Sequence, residues 1–280
     1  MRWTPGGVSS DVEDRRGSSG GGGFGFGGMH IGIGGAVILL VLSLIFHKNF
    51  FALLGGGDQT APQQQSGPVQ ETPGEHRNVQ FVSFVLDDAQ KTWEQTLPGY
   101  RHAKLDLFRD AIQSACGFAQ SASGPFYCPN DEKVYIDLGF YDELRQKFGA
   151  PGDFAQAYVI AHEIGHHVQK LQGIEQQVHQ AMENGSSSDR SALSVRLELQ
   201  ADCYAGVWGH STQQRGIIDN ADIEQGLNAA AAIGDDRLQR MAGRTVNPER
   251  FTHGSSQQRV EWFKRGLQSG RVEDCDTFRQ

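Results

Sequence analysis

The chain has 280 residues, of which 38% are hydrophobic, and this is enough for one sizeable domain with additional segments. Its formal net charge is −8 and it contains no basic stripe, so the composition excludes a typical nucleic-acid-binding protein. The four cysteines include no Cys-x-x-Cys spacing, so the sequence offers no thiolate metal site or dithiol redox motif.

The N-terminal part of the chain differs in composition from the rest. Residues 1–28 are rich in glycine and serine, and such a segment is expected to form a disordered leader. Residues 31–46 carry no charge, and with their apolar neighbours they predict a transmembrane anchor over residues 29–54. Residues 55–78 are rich in Gly, Pro and Gln, which predicts a flexible linker.

The apolar run can be interpreted as a membrane anchor or as a cleavable signal peptide. The leader of about 30 residues before the run and the lack of a nearby Ala-x-Ala site favour the anchor. Three arginines precede the run and one lysine closely follows it, a charge bias that keeps the N-terminus in the cytoplasm. The larger C-terminal part would then be extracytoplasmic.

Residues 79–280 are predicted to form the folded domain, which is long enough for one hydrophobic core. Several helical patterns and a short strand predict a mainly α fold with a small β-sheet, of the α+β class. Four cysteines allow three disulfide pairings, of which we expect Cys116–Cys128 and Cys203–Cys275. Four buried thiols in a reducing compartment are the alternative that the cysteine count leaves open.

A His-Glu-x-x-His pattern is formed by His162, Glu163 and His166. Asp153 is a suitable N-cap and Gly173 a suitable stop, with no proline between them, so the pattern is predicted to lie on a helix. On a helix the two imidazoles share one face, about 6 Å apart along the axis, and both can bind one Zn²⁺. Glu163 is then placed to accept a proton from water.

The alternative interpretation of this pattern is a solvated histidine-rich helix. Apolar residues flank the motif on both sides, so the helix is expected to pack against a core. Glu163 and the two histidines would then be buried without partners if no metal were bound, which is costly. The metal-binding interpretation is therefore favoured.

A second predicted helix carries Glu198 and Asp202, four residues apart among apolar neighbours. A zinc ion held by two histidines needs a third protein ligand if water is to occupy the fourth position, and we assign Glu198 to this role. Asp202, one turn further, is expected to accept the free N–H of a ligating imidazole. Two alternatives stay open: the two acidic residues exchange these roles, or they form an ordinary surface pair.

His253 lies in a polar loop between two predicted C-terminal helices and is a candidate for stabilising an oxyanion in the same site. A single loop histidine is more often an ordinary polar residue. His167, His179 and His210 are interpreted in that way, and His167 points to a different face of its helix from His166.

Three segments of the chain resemble the bacterial "putative neutral zinc metallopeptidase" family. They are residues 162–169 (His-Glu-Ile-Gly-His-His-Val-Gln), 198–206 (Glu-Leu-Gln-Ala-Asp-Cys-Tyr-Ala-Gly) and 252–256 (Thr-His-Gly-Ser-Ser). The likeness covers essentially the whole chain. Members typically carry one N-terminal membrane span, which implies a single-pass protein of a bacterial inner (cytoplasmic) membrane.

More distantly, the chain looks like the gluzincins, which implies a zincin-like metallopeptidase domain. This resemblance supports His162, His166 and Glu198 as zinc ligands, Glu163 as the general base and Asp202 as the residue that orients a ligand. It also implies an edge strand before the motif helix that binds extended peptide. The matching residues here are Lys133, Val134, Tyr135, Ile136, Asp137 and Leu138.

These observations predict a membrane-anchored zinc-dependent endopeptidase that hydrolyses a peptide or protein substrate with zinc-activated water and Glu163 as general base. The predicted cofactor is Zn²⁺, and the lipid bilayer is a partner through residues 29–54. The alternative is a catalytically silent zinc-binding membrane scaffold or regulatory protein. Glu163 argues against this alternative, because a structural zinc site has four protein ligands and no use for a base.

Overall fold

The computed structural model describes residues 1–17, 69 and 71–279. Helices predominate and a small sheet is present, which confirms the predicted α+β class. The strands are β1 (Val12–Asp14), β2 (Lys104–Phe108), β3 (Ala111–Ser114), β4 (Gly117–Gln120), β5 (Phe126–Cys128) and β6 (Lys133–Asp137). The α-helices are α1 (Pro73–Thr96), α2 (Gly139–Gln146), α3 (Asp153–Leu171), α4 (Ile174–Asn184), α5 (Ser187–Gln214), α6 (Asn220–Ala232), α7 (Asp235–Met241) and α8 (Ser256–Ser269).

The predicted anchor over residues 29–54 lies outside the described residues, together with the later part of the leader and the earlier part of the linker. Within the part of the chain that the structure covers, no helix combines the length and the apolar character needed to cross a membrane.

Four strands form one sheet in the order β1-β2-β6-β5, and β3 pairs with β4 in a separate hairpin. β1, β2 and β6 are parallel, whereas β5 is antiparallel and forms one edge. The prediction that residues 133–138 form an edge strand is therefore wrong, because β6 has a neighbour on each side and does not include Leu138. Its central residues Val134, Tyr135 and Ile136 are all buried, a pattern typical of an interior strand.

The first residues of the chain belong to the fold, so the disordered leader predicted over residues 1–28 is wrong for residues 1–17. β1 pairs with β2, with Val12 beside Leu105. Asp11, just before the strand, accepts a hydrogen bond from the lysine that begins β2. Composition failed to indicate this strand because its stability comes from partners far away in the sequence.

The first helix begins before residue 79, where the folded domain was predicted to start. α1 starts at Pro73, and the Thr72 side chain accepts the backbone N–H of Glu75 while the Glu75 carboxylate accepts that of Thr72. This capping box, followed by a proline in the first turn, is a helix-start signal inside a segment that composition assigned to a linker. The predicted linker over residues 55–78 is therefore wrong from Pro73 onward.

Glycines allow α5 and α8 to cross in close contact. A Cβ atom at Gly206 of α5 would lie 2.2 Å from the backbone oxygen of Phe263. A Cβ atom at Gly266 of α8 would lie 1.9 Å from the backbone oxygen of Cys203. Because only glycine permits such an approach, these two positions bring α8 directly against the helix that carries Glu198.

Both predicted disulfides are present in the structure. Cys116–Cys128 connects the turn of the β3–β4 hairpin to β5, and Cys203–Cys275 connects α5 to the C-terminal segment. The predicted pairing is confirmed, and the alternative of four free thiols does not hold.

Candidate metal centre

Two helices bring the predicted metal ligands together, since His162 and His166 lie on α3 and Glu198 lies on α5. The helices approach closely beside the motif: a Cβ atom at Gly165 would lie 2.9 Å from the backbone oxygen of Ala201. Glycine at this position therefore permits the short distance between the histidines and the carboxylate. One ligand atom from each of the three side chains lies within 4.8 Å of the other two.

Both imidazole rings present Nε2 to the Glu198 carboxylate. The distance from His162 Nε2 to Glu198 Oε2 is 3.2 Å, and that from His166 Nε2 to Glu198 Oε1 is 3.6 Å. Two imidazole nitrogens and one carboxylate are a donor set of catalytic zinc sites that leave one position for water or substrate. No other such group of three ligands occurs in residues 1–17, 69 and 71–279. The chemistry and the spacing of these three residues therefore fit a divalent metal ion.

Each imidazole is held by a hydrogen bond at its other nitrogen. His162 Nδ1 is 2.9 Å from Asp202 Oδ1, and His166 Nδ1 is 2.9 Å from Gln169 Oε1. Gln169 is itself fixed, because its amide donates to the backbone oxygen of Leu197 at 2.7 Å. An oxygen acceptor at Nδ1 keeps a proton on that nitrogen, so Nε2 is the nitrogen at which a metal ion would replace a proton.

The geometry distinguishes the two acidic residues of α5. Asp202 lies behind His162, on the side away from Nε2, so the exchanged assignment with Asp202 as the ligand does not fit. The carboxylates of Glu198 and Asp202 are both largely buried, so they are not a surface pair. The orienting role of Asp202 was predicted from the sequence, whereas the same role of Gln169, which follows His166 within one helical turn, was not.

Arg259 of α8 also binds Asp202 and was not identified from the sequence. Its Nε donates to Asp202 Oδ2 at 2.8 Å and its Nη2 donates to Asp202 Oδ1 at 2.9 Å. The Tyr158 hydroxyl also donates to this carboxylate. The side chains of Arg259 and Asp202 are only 2% and 0% exposed, so their charges compensate each other away from water.

The buried groups of the centre stabilise one another's charges. Burial alone would lower the pKa of His162, but the charge and hydrogen bond of Asp202 and the hydrogen bond to Glu198 outweigh it and raise the pKa to about 10. Burial alone would raise the pKa of Glu198, but the charge of His166 and the hydrogen bond to His162 bring it well below its usual range. Glu198 is therefore held as the carboxylate, the form that binds metal ions.

Glu163 lies beside the ligands on α3 and is 7% exposed. Its carboxylate makes no hydrogen bond or ion pair with any other residue that the structure describes. A carboxylate without fixed partners next to a metal-binding group can accept a proton and later donate it.

The structure also brings His253 towards the centre. The Asp235 carboxylate accepts the backbone N–H groups of Thr252, His253 and Gly254, and it lies 3.1 Å from His253 Nδ1. Burial would lower the pKa of His253, but the bond to Asp235 and the nearby charge of Glu198 raise it. Asp235 thus fixes the loop and the ring, an arrangement that the sequence did not reveal.

The fold and the site together define an α+β protein with a His₂–Glu metal-binding group on two packed helices. The profile of the family described as "Putative neutral zinc metallopeptidase" matches residues 1–278, and the chain belongs to this family. The resemblance predicted from the three sequence segments is therefore confirmed.

Bacterial relatives share this likeness over most of the chain. The chain is 49% identical over 285 residues to the "Uncharacterized protein YpfJ" of Escherichia coli (strain K12), covering 99% of each. It is 40% identical over 233 residues to the "Uncharacterized protein Mb2605" of Mycobacterium bovis, covering 79% of this chain and 78% of the relative. No solved structure matches the chain at a significant level.

Proposed function

We propose that the protein is a zinc-dependent endopeptidase with a zincin-like domain. The observation that carries this proposal is the unpartnered carboxylate of Glu163 beside three converging ligands, His162, His166 and Glu198. A site that only stabilises the fold would close around the ion with four protein ligands and would have no use for a base. Membership of a family described as zinc metallopeptidases supports the same reaction.

Different residues of the chain have different roles in the proposed peptide hydrolysis. A Zn²⁺ ion held by the three ligands would lower the pKa of a water molecule and polarise the scissile carbonyl. Glu163 accepts the proton of the attacking water and delivers it to the leaving amine. Asp202 and Gln169 keep both imidazoles oriented, and His253 stabilises the developing oxyanion.

Extended substrate would pair with β5 rather than with β6. β5 is the antiparallel edge strand of the sheet, and no other described strand pairs with its outer side. It packs against α3, the helix that carries the motif. An extended peptide added along this edge would form backbone hydrogen bonds, with its scissile bond directed to the metal centre.

We further propose that the domain functions outside the cytoplasm, attached to the inner membrane of a bacterial cell. The two disulfides support an oxidising compartment, because cytosolic thiols are kept reduced. Attachment to the bilayer would depend on residues 29–54, whose sequence predicts an anchor.

The test of the peptidase function is digestion of a mixture of unfolded peptides by the purified full-length protein, with new termini identified by mass spectrometry. We expect cleavage that stops when a chelator removes the metal and resumes when stoichiometric Zn²⁺ is returned. If the zinc-loaded protein produced no new termini, the catalytically silent scaffold would be the better description.

A further inference from the structure

His167 is fully buried and directly follows the metal ligand His166 on α3. Its Nε2 is 2.7 Å from the backbone oxygen of Arg101, and its Nδ1 is 2.9 Å from the Tyr127 hydroxyl. Because a carbonyl oxygen only accepts, Nε2 carries the proton and Nδ1 accepts from the Tyr127 hydroxyl. The rings of Tyr100 and Tyr127 each lie 5.5 Å from the imidazole in edge-to-face contact.

Tyr127 is the central residue of β5, the strand proposed to pair with extended peptide. With three residues, β5 has few backbone hydrogen bonds to hold it against β6. The Cys116–Cys128 disulfide fixes its last residue to the β3–β4 hairpin. The hydrogen bond to His167 is therefore a direct side-chain link between the edge strand and the metal-binding helix.

We propose that His167 and Tyr127 are positioning residues, which set the distance between the peptide-binding edge strand and the metal ligands. This proposal rests on the proposed peptidase function. A peptide paired with β5 reacts only where a carbonyl is placed correctly at the metal centre, and small displacements are costly. Loosening β5 should therefore weaken productive binding and change which bonds are cut.

The test is Tyr127→Phe, which removes the hydroxyl and keeps the ring. We expect unchanged zinc content, KM raised by about 2–10-fold for a short peptide, and a broader set of cleavage sites. Amide hydrogen exchange of residues 126–128 should become faster. The matched control is Tyr135→Phe on the neighbouring strand β6, where the lost hydroxyl donates to Asp131 at 2.8 Å. This variant should leave zinc content, KM, the cleavage sites and the exchange of residues 126–128 unchanged.

The outcomes separate this proposal from the peptidase function. If the wild-type protein cleaves peptides and Tyr127→Phe changes neither KM nor the cleavage sites, the positioning role is wrong and the peptidase function stands. If the wild-type protein cleaves nothing, the peptidase function fails. Unchanged hydrogen exchange of β5 in Tyr127→Phe would refute the structural link in either case.

A second inference concerns residues 1–17 and does not depend on peptidase activity. Charged side chains hold β1 on the sheet: Arg15 Nε is 3.1 Å from Asp106 Oδ2, and Lys133 lies 2.7 Å from Glu13 and 3.3 Å from Asp106. The Asp106 carboxylate on β2 is fully buried and depends on such partners. β1 is thus an integral strand of the sheet.

Residues 16 and 71 stand on either side of the part of the chain that the structure does not describe continuously, and they lie next to each other. The Arg16 side chain is 1% exposed and binds the carboxylates of Glu71 at 2.8 Å and Asp14 at 2.6 Å. Paired strands such as β1 and β2 lie about 4.8 Å apart. The described residues at both ends of the intervening segment are therefore held close together in the same folded unit.

We infer that residues 1–17 and 71–279 lie on the same side of any membrane to which the chain is attached. One crossing by residues 29–54 would separate β1 from β2 by a hydrocarbon layer about 30 Å thick, and the strands could not pair. The apolar run is long enough for one crossing and too short for two. A single-pass topology is thus incompatible with the folded position of β1, and attachment would occur from one side.

Thiol labelling at two exposed positions tests this inference in the full-length protein. Val8 and Met241 are 53% and 46% exposed, and all four native cysteines are in disulfides. Val8→Cys and Met241→Cys proteins would be treated with a membrane-impermeant maleimide in intact spheroplasts and after lysis, with the wild-type protein as background. We expect both positions to react before lysis.

Two other results are informative. Labelling of one position before lysis and of the other only after lysis would overturn the inference and support a single crossing. Labelling of both positions only after lysis would support the shared side and contradict the extracytoplasmic location.

Discussion

Replacing Glu163 by glutamine should lower kcat for peptide hydrolysis by about 10²–10⁴-fold, the usual contribution of a general acid–base group. Glu163 is buried and directly follows the ligand His162 on α3, and its carboxylate has no partner among the residues that the structure describes. Glutamine has nearly the same shape and cannot accept the proton of water. Because Glu163 is not one of the three converging ligands, the variant should still bind Zn²⁺. The measurement is kcat together with the metal content of the purified variant.

The matched control for this variant is Glu183→Gln, the same chemical change at an exposed position of α4. It should leave both kcat and zinc content unchanged. Equal cleavage rates for Glu163→Gln and the wild-type protein would remove Glu163 from the reaction. Loss of zinc from Glu163→Gln would instead show that the carboxylate helps to hold the ion.

The ligands could be predicted because each pair is encoded locally. His162 and His166 are four residues apart on one helix, and so are Glu198 and Asp202 on another. Helical periodicity places each pair on one face without any knowledge of the tertiary structure. A metal ion bound by two histidines needs a third protein ligand, and this indicated that the two helix faces meet. The two helices do approach each other closely at Gly165.

Contacts between distant parts of the chain could not be predicted in this way. Arg259 is 57 residues from Asp202 along the chain, and no spacing rule connects them. The run at residues 133–138 correctly indicated a strand, but its neighbours in the sheet depend on β2 and β5. The short strand β1 was not predicted from its glycine-rich segment, because its charged side chains form ion pairs only in the folded sheet. Local patterns identify elements, whereas pairing is a property of the whole chain.

Asp202 illustrates why the contacts that could not be predicted from the sequence matter for stability. Its carboxylate is completely buried and accepts hydrogen bonds from Arg259, Tyr158 and the ring of His162. A buried carboxylate of this kind is tolerated because charged and polar donors surround it. Arg259 supplies the permanent positive charge, so the centre depends on it even when no metal is bound.

Replacing Arg259 by methionine should therefore lower the free energy of unfolding of the metal-free protein by about 3–5 kcal/mol, because Asp202 loses its countercharge in the interior. For a domain of this size the same change corresponds to a fall in Tm of about 6–20 °C. The measurement is urea or thermal unfolding in the presence of a chelator. Removing the metal is necessary because zinc binding would itself add to the apparent stability.

Arg265→Met is the matched control, since Arg265 lies on the same helix and is exposed, stacked on Trp262. It should cost only about 0.5–1 kcal/mol. Combining Arg259→Met with Asp202→Leu should recover part of the lost stability, because no buried charge is then left without a partner. If Arg259→Met unfolded at the same urea concentration as Arg265→Met, the ion pair between Arg259 and Asp202 would not contribute to stability as predicted.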